Sequence, residues 1–165
     1  MVEVVPFTRA LQDGVIELIL TIQQVEFGFS IRAEDQPDLL GVEDFYLKGA
    51  GGFWVALVDG KPVGTIALRD IGARQGALRK MFVKAPYRGR ELGVAEALLR
   101  TLLKSAKAGG IEEVFLGTTE KFLAAHRFYE KHGFLQVGPR ELPEAFPRMA
   151  LDTRFYKLGL AQVDA

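Results

Sequence analysis

Apolar side chains in the first part of the chain recur every three or four residues, the spacing that places them on one face of a helix. Between positions 8 and 27 they are Leu11, Val15, Leu18, Ile19 and Ile22. Thr8 precedes them as a candidate N-cap. A second, shorter helix is predicted over 39–47, and the glycine-rich segment 49–52 ends it.

The pattern then changes to that of strands. Two apolar runs, 53–58 and 62–68, flank Asp59-Gly60, a pair typical of tight hairpin turns. A third strand is predicted over 77–83, and it ends before Pro86 because proline cannot extend a hydrogen-bonded ladder.

Helices and strands alternate in the second half of the chain. The predicted elements are a helix over 92–107, a strand over 113–117, a helix over 121–132, a strand over 134–137 and a final strand over about 149–155. Together these elements predict an α/β fold, a single domain over residues 1–165 with a mixed central sheet flanked by helices.

Composition narrows the classes of function. Twenty-one basic and 21 acidic residues balance, so an anionic ligand needs a local cluster of cations. A nucleic-acid-binding domain is disfavoured for the same reason, and because no basic helix is interleaved with aromatics. The absence of cysteine excludes disulfides, thiolate metal sites and a cysteine nucleophile.

The N-terminal residues do not form a basic segment followed by an apolar export core. The chain also lacks an apolar run of about 20 residues, the length of a membrane span. We therefore expect a cytoplasmic protein with neither a membrane nor nucleic acid as partner.

The segment 81–95 leads from a strand through a basic, glycine-containing turn into a helix. Gly89 and Gly93 allow close approach of the backbone to a ligand, the helix start offers free amides, and Arg88 and Arg90 add charge. Such a turn suits a pyrophosphate, the alternative being an ordinary solvated turn. Neither the P-loop pattern nor the dinucleotide-binding pattern occurs here.

Two blocks in this half of the chain resemble the GNAT superfamily of N-acyltransferases. The residues at 90–95, Arg-Glu-Leu-Gly-Val-Ala, match its signature of Arg or Gln, two residues, Gly, one residue, then Gly or Ala. Starting the signature at Arg88 would place Glu91 where glycine belongs. The second block is 128–134, Phe-Tyr-Glu-Lys-His-Gly-Phe, and the resemblance runs from about residue 53 to the C-terminus.

The resemblance implies a sheet splayed open beside residues 81–83, with acetyl-coenzyme A as co-substrate, no metal, and a coenzyme-binding core at about 77–135. Pantetheine would lie along Met81 and Val83, and Lys131 would lie near the nucleotide phosphates. The coenzyme-binding residues implied in this way are Met81, Phe82, Val83, Arg88, Gly89, Arg90, Glu91, Leu92, Gly93, Val94, Ala95 and Lys131. His126 and His132 lack carboxylates at metal-ligand spacing, so we expect helix-surface and capping roles for them.

The resemblance also implies acetyl transfer to a primary amine of a small molecule or peptide by direct attack. Tyr129 matches the family's proton donor, since a phenol with a reference pKa of about 10 can protonate a thiolate with a pKa near 8.5. The alternative for Tyr129 is a core aromatic at helical spacing from Phe122 and Ala125. A backbone amide of Phe82 or Val83 is the predicted oxyanion donor.

Two positions depart from the family's pattern. Ala77 stands where many relatives carry a glutamate base, and Phe122 stands where many carry a coenzyme-binding asparagine. The carboxylates considered as a substitute base, without assignment, are Glu26, Asp70, Glu141 and Glu144. These departures keep open a noncatalytic acyl-coenzyme A sensor or interaction module on the same fold.

The acceptor stays open at this point. Aromatic candidates for its pocket, each with a core role as the alternative, are Phe27, Phe29, Phe45, Tyr46, Trp54 and Phe146. The resemblance further implies a homodimer, with the C-terminal strand as the expected contact.

Overall fold

Seven strands and five α-helices make up the part of the chain that the computed structural model describes, residues 2–89, 91–149 and 151–162. The strands are β1 Val2–Pro6, β2 Gly52–Val58, β3 Lys61–Gly72, β4 Gln75–Val83, β5 Glu113–Thr118, β6 Leu135–Val137 and β7 Arg154–Gly159. The α-helices are α1 Gln12–Leu20, α2 Pro37–Leu40, α3 Val42–Tyr46, α4 Val94–Ala108 and α5 Leu123–Lys131. A π-helical turn, Thr21–Glu26, continues α1.

The strands form one sheet in the order β1-β2-β3-β4-β5-β7-β6. Neighbouring strands are antiparallel except β4 and β5, which are parallel and joined through α4. Their pairing is confined to three positions, from Gln75 opposite Glu113 to Ala77 opposite Phe115. Beyond Ala77 the two strands diverge, and the sheet is open at its middle. The expectation of an α/β fold with a splayed mixed sheet is confirmed.

Side chains alternate across β2 and so bind helices to both faces of the sheet. Trp54 and Ala56 pack in the cluster that includes the buried face of α4, whereas Phe53 and Val55 pack with α1 and α3. The apolar faces of these amphipathic helices thus cover the central sheet on two sides. The extent of the domain over residues 1–165 stays a prediction.

The hairpin expected at Asp59-Gly60 forms, with φ of 52° and 77° at these residues, as tight hairpin turns of this kind require. The apolar N-terminal residues, to which no element was assigned, form β1 against β2. Thr8 precedes a 3-10 turn, Arg9–Leu11, and makes no side-chain capping hydrogen bond.

The final strand was predicted too early, at about 149–155. A turn interrupts the chain there, because the Met149 amide donates to Asp152 Oδ2 at 2.9 Å and the Asp152 amide donates to the Met149 carbonyl at 3.1 Å. The strand begins only at Arg154. It lies between β5 and β6, and β6 covers its residues 155–157, so only the rest of that edge is free for the expected dimer contact.

Candidate active site

A cleft of about 720 Å³ lies where β4 and β5 diverge, between the end of β4, the turn before α4, and α5. We call it the first cleft. Its volume falls in the range of about 300–1,000 Å³ that is usual for small-molecule sites. The residues predicted to act in binding or catalysis that line it are Met81, Phe82, Val83, Arg88, Gly89, Gly93, Ala95, Tyr129 and Lys131.

Three of the other predicted binding residues lie apart from this wall. Val94 is fully buried in the core, and Glu91 and Leu92 are exposed to solvent. Arg90 lies outside the described residues. The binding roles assigned to these positions and to the cleft wall stay predictions.

The turn before α4 needs glycine at two places. Gly89 has φ of 113° and Gly93, the N-cap of α4, has φ of 64°. A Cβ at either position would meet nothing within 4 Å, so the backbone conformation and not space requires glycine. This conformation starts a 15-residue helix whose first amides have no intrahelical partner. The cleft therefore holds donors and a partial positive charge suited to phosphate.

Arg88 does more than line the cleft. Its Nε donates to the Val83 carbonyl at 2.7 Å, and its guanidinium pairs with Glu26, with NH2 2.7 Å from Oε1. Arg88 thus ties the turn to the end of β4 and to the π-helical turn. Glu26, one of the candidate bases, is engaged in this ion pair across 62 residues of sequence, a separation that no local pattern reveals.

Two cations of the first cleft were missed from the sequence. Lys121 and Arg127 lie on its wall beside Lys131, and all three are exposed. Arg127 and Lys131 are four residues apart on α5, a spacing that places them on one helix face. A cationic rim, an apolar middle and a glycine turn before a helix fit the phosphates and the pantetheine chain of coenzyme A.

Tyr129 lies deep between the elements, 4% exposed. Its ring packs on Phe128, Phe134 and Tyr156 at centroid distances of 5.8, 5.5 and 6.0 Å. Burial raises the pKa of its phenol. Every fully buried polar side-chain atom in the described residues has a hydrogen-bond partner. Since no described residue hydrogen-bonds to the Tyr129 hydroxyl, that oxygen is not fully buried. The Tyr129 ring therefore packs in the hydrophobic core, and its hydroxyl reaches the cleft.

A second cleft, of about 150 Å³, lies on the other side of the end of β4. The residues common to both clefts are Met81, Phe82, Phe122, Ala125 and Tyr129. A donor in one cleft and an acceptor in the other would therefore meet beside these five residues, of which Tyr129 is the one with an ionisable side chain.

Phe122 takes part in an aromatic cluster between the clefts. Its ring lies 4.7 Å from that of Phe27 and 5.9 Å from that of Phe29. The cluster holds the segment after the π-helical turn against the start of α5. Phe27 lines the first cleft, and Phe29 and Phe146 line the second. The other aromatic candidates, Phe45, Tyr46 and Trp54, pack in the hydrophobic core.

The remaining candidate bases lie away from both clefts. Asp70 accepts from the Ala50 and Gly72 amides, each at 2.9 Å, and Glu141 accepts from the Gly138 amide at 2.7 Å. Glu144 is exposed. Asp152, which sequence reasoning missed, lines the second cleft, and burial raises the pKa of its carboxyl. A carboxylate with a raised pKa is a better proton acceptor.

The surface role expected for His126 is wrong, since the residue is 3% exposed. Arg154 donates to its Nδ1 at 2.9 Å, so Nε2 carries the proton and donates to the Thr119 carbonyl at 2.9 Å. His132 does cap α5, because its Nδ1 lies 2.9 Å from the Phe128 carbonyl.

Within the described residues, His, Asp and Glu side chains form no group of three or more that could hold a metal ion. Every helix in residues 2–89, 91–149 and 151–162 lacks the length or the apolar character needed to cross a bilayer.

Solved structures match the chain over nearly its whole length. An acetyltransferase of the GNAT family from Staphylococcus aureus Mu50 superposes with a TM-score of 0.93 at 37% identity, covering 97% of this chain and 99% of the other. The PaiA N-acetyltransferase from Thermoplasma acidophilum, in complex with coenzyme A, has a TM-score of 0.72 at 17% identity, covering 96% and 99%, and shares the fold.

Curated relatives match a shorter part. The N-acetylaspartate synthetase of Xenopus tropicalis is 41% identical over 103 residues, 61% of this chain and 37% of that protein. N-acetyltransferase 8 of Mus musculus is 36% identical over 107 residues, which are 61% of this chain and 46% of that protein. The chain thus spans less than half the length of these relatives. The profile of the Acetyltransferase (GNAT) family matches residues 16–134. Together with the glycine turn before α4 and the splayed sheet, this match shows that the chain belongs to that family.

Proposed function

We propose that this chain is an N-acetyltransferase that transfers the acetyl group of acetyl-coenzyme A to the primary amine of a small molecule by direct attack. The observation that carries the proposal is the meeting of two clefts at one buried phenol, Tyr129. One cleft has a cationic rim and a glycine turn suited to a phosphorylated donor. The other is small and has mixed polar and apolar walls.

The chain's own residues divide the binding work. The turn at Gly89 and Gly93, with Lys131 and its neighbouring cations, would hold the phosphates. The edge of β4 from Met81 to Val83 faces the gap in the sheet and would hold the pantetheine chain. Met81 and Phe82 of this edge line both clefts together with Tyr129. The thioester at the end of the pantetheine chain would therefore lie where the second cleft opens.

Transfer requires two proton movements. A lysine-like amine has a reference pKa of about 10.4, so at neutral pH it must lose a proton before it can attack. Asp152 is the carboxylate placed in the second cleft to accept that proton, directly or through water. The neutral amine attacks the thioester carbonyl and forms a tetrahedral intermediate, whose C–S bond then breaks. Tyr129 protonates the departing sulfur, and its oxygen takes up the second proton that the amine nitrogen loses as the amide forms. The oxyanion role of the Phe82 or Val83 amide stays a prediction.

The size of the second cleft supports a small acceptor over a peptide. Its volume of about 150 Å³ is below the roughly 300 Å³ at which sites for drug-sized ligands begin. A peptide or protein segment would need a longer groove than this cleft provides.

The first experiment is thermal unfolding with and without acetyl-coenzyme A. Ligand at 100 times its dissociation constant should raise the free energy of unfolding by about 2.7 kcal/mol. Release of the coenzyme thiol in the presence of an amine panel then tests transfer. Stabilisation without thiol release for any amine would favour the noncatalytic sensor, and no stabilisation at millimolar coenzyme would refute the proposed donor.

A homodimer and a cytoplasmic location are part of the proposal. Since β7 lies between β5 and β6, a dimer that extends the sheet would use the outer edge of β1 or β6, or the part of β7 that β6 leaves uncovered. Light scattering of the eluting protein measures the mass in solution, and a monomer mass would contradict the dimer. Fractionation of cells that express the full-length protein tests the location.

A further inference from the structure

Two cations lie side by side on the wall of the second cleft. The side chains of Arg79 and Lys80 are only 14% and 8% exposed. Consecutive residues of a regular strand point to opposite faces of the sheet. Here Lys80 has φ of 54°, and Lys80 and Met81 together stand opposite the single residue Ile66. This β-bulge brings both cations to the same side, and such strained backbone is concentrated at functional sites.

The ammonium group of Lys80 has both a hydrogen-bond acceptor and a carboxylate within the protein. Its Nζ donates to Gln36 Oε1 at 2.7 Å and lies 3.4 Å from Asp38 Oδ2. The same carboxylate oxygen accepts the Tyr46 hydroxyl proton at 2.5 Å. Asp38 is therefore already shared between a hydroxyl and an ammonium group.

The guanidinium of Arg79 has weaker partners within the protein. Its NH2 lies 3.8 Å from Asp38 Oδ2, beyond hydrogen-bonding distance, with the Tyr46 hydroxyl also nearby. Its NH2 donates to Met149 Sδ at 3.4 Å, a weak acceptor. A guanidinium carries five N–H donors and stays charged. Arg79 thus presents unused donors and a full charge to the second cleft.

The opposite charge lies at another point of the same cleft. Asp152 lines it, within electrostatic range of Arg79, and accepts the Met149 amide at 2.9 Å. A guanidinium and a carboxylate in one small cleft complement a ligand that carries both an amine and a carboxylate. A polyamine carries only positive charge, and the two buried cations would repel it.

We infer that the second cleft binds a small amino acid, with its carboxylate on Arg79 and its amine directed toward Tyr129 and the first cleft. This inference rests on the proposed acetyl transfer and names the class of its acceptor. A guanidinium binds a carboxylate through two parallel hydrogen bonds, which fixes the direction of the amine as well as adding affinity.

The test compares acceptors that differ only in a carboxylate, using release of the coenzyme thiol by wild type and by Arg79→Gln. Glycine and glycinamide differ in the α-carboxylate, and L-aspartate and L-asparagine differ in the side-chain carboxylate. For at least one pair, wild type should prefer the acid by about tenfold or more in kcat/KM, mainly through KM. Arg79→Gln should lose this preference, because its kcat/KM should fall further on the acid than on the amide.

Two further variants separate charge from fold. Arg79→Lys keeps the charge but loses the planar pair of donors, so its preference should be intermediate. Arg9→Gln is the matched control, because the Arg9 side chain is 82% exposed and pairs with Glu43. It should behave as wild type. Stabilisation by acetyl-coenzyme A, measured on Arg79→Gln, reports whether that variant folds and binds the donor.

The outcomes are distinct. Wild type that acetylates spermidine or the amides as well as the acids would overturn the inference and leave the proposed transfer standing. Retention of the acid preference by Arg79→Gln would overturn the role of Arg79. Failure to acetylate any amine, with coenzyme still bound, would refute the proposed function itself. If Arg79→Gln does not fold, the comparison of acids with amides in wild type decides alone.

Discussion

Replacing Tyr129 by phenylalanine removes a single oxygen from the point where the two clefts meet. A positioned general acid contributes about 10²–10⁴ in rate, equivalent to roughly 3–5 kcal/mol of transition-state stabilisation. A phenol with the reference pKa of about 10 is protonated at neutral pH, and burial raises the pKa of Tyr129 further. Its proton therefore remains available to the sulfur, and we expect kcat to fall by about 10²–10⁴ in Tyr129→Phe.

The same substitution should leave stability almost unchanged. The ring keeps its contacts with Phe128, Phe134 and Tyr156. The hydroxyl has no hydrogen-bond partner among the described residues, so its removal strands no buried group. We expect the free energy of unfolding to change by less than about 0.5 kcal/mol. A large loss of activity without a loss of stability is the signature of a catalytic hydroxyl.

The assay is the initial rate of thiol release with both substrates saturating, alongside urea unfolding. Tyr156→Phe is the matched control, since Tyr156 is fully buried, lies 6.0 Å from the Tyr129 ring and donates to Glu130 at 2.7 Å. Burial raises its pKa to about 12. This control should lose about 1 kcal/mol in the free energy of unfolding because its hydrogen bond is removed, but it should keep its activity. If Tyr129→Phe retains kcat within about threefold of wild type, Tyr129 is a core aromatic and water protonates the thiolate.

Three further predictions concern stability. Gly93→Ala, at φ of 64°, should lower the free energy of unfolding by about 1 kcal/mol and weaken the stabilisation by acetyl-coenzyme A in thermal unfolding. Gly60→Ala, at φ of 77° in the hairpin, is the control: it should lower the free energy of unfolding as much but leave the stabilisation by the coenzyme unchanged. Asp38→Asn removes the carboxylate nearest to two buried cations, Arg79 and Lys80, and should cost about 3 kcal/mol in urea unfolding. Wild-type stability of this variant would contradict the expectation. Because burial lowers the pKa of His126, the unfolded chain binds its proton more tightly, and the free energy of unfolding should fall as the pH drops through about 6.5. Urea unfolding across this range should show a weaker pH dependence in His126→Gln than in wild type.

Local patterns predicted the elements that local chemistry determines. The hairpin at Asp59-Gly60 and the turn from Gly89 to Gly93 depend on a few adjacent residues with particular φ angles. The long helix after this turn has a strongly periodic apolar face. All three therefore appear in the structure close to their expected positions.

Features that depend on distant residues could not be predicted in this way. The strand β1 is short, and its pairing with β2 supplies a stability that its own sequence does not display. Glu26 meets Arg88 across 62 residues, so no spacing rule connects them. His126 was expected at the helix surface because it has no carboxylates at metal-ligand spacing. In the structure Arg154 from β7 contacts one ring nitrogen and the Thr119 carbonyl contacts the other.

The bulge in β4 links the two halves of the site. The buried Thr65 hydroxyl donates to the Lys80 carbonyl at 2.7 Å and holds the bulge in place. One extra residue in β4 changes which face each later side chain meets, since the strand period is two. Before the bulge, Arg79 is directed into the second cleft, and after it Phe82 lies on the walls of both clefts. A regular strand would place Arg79 and Lys80 on opposite faces, and only one of them could then face an acceptor. The same irregularity in β4 thus sets the charge of the acceptor cleft and the position of the strand edge that faces the donor.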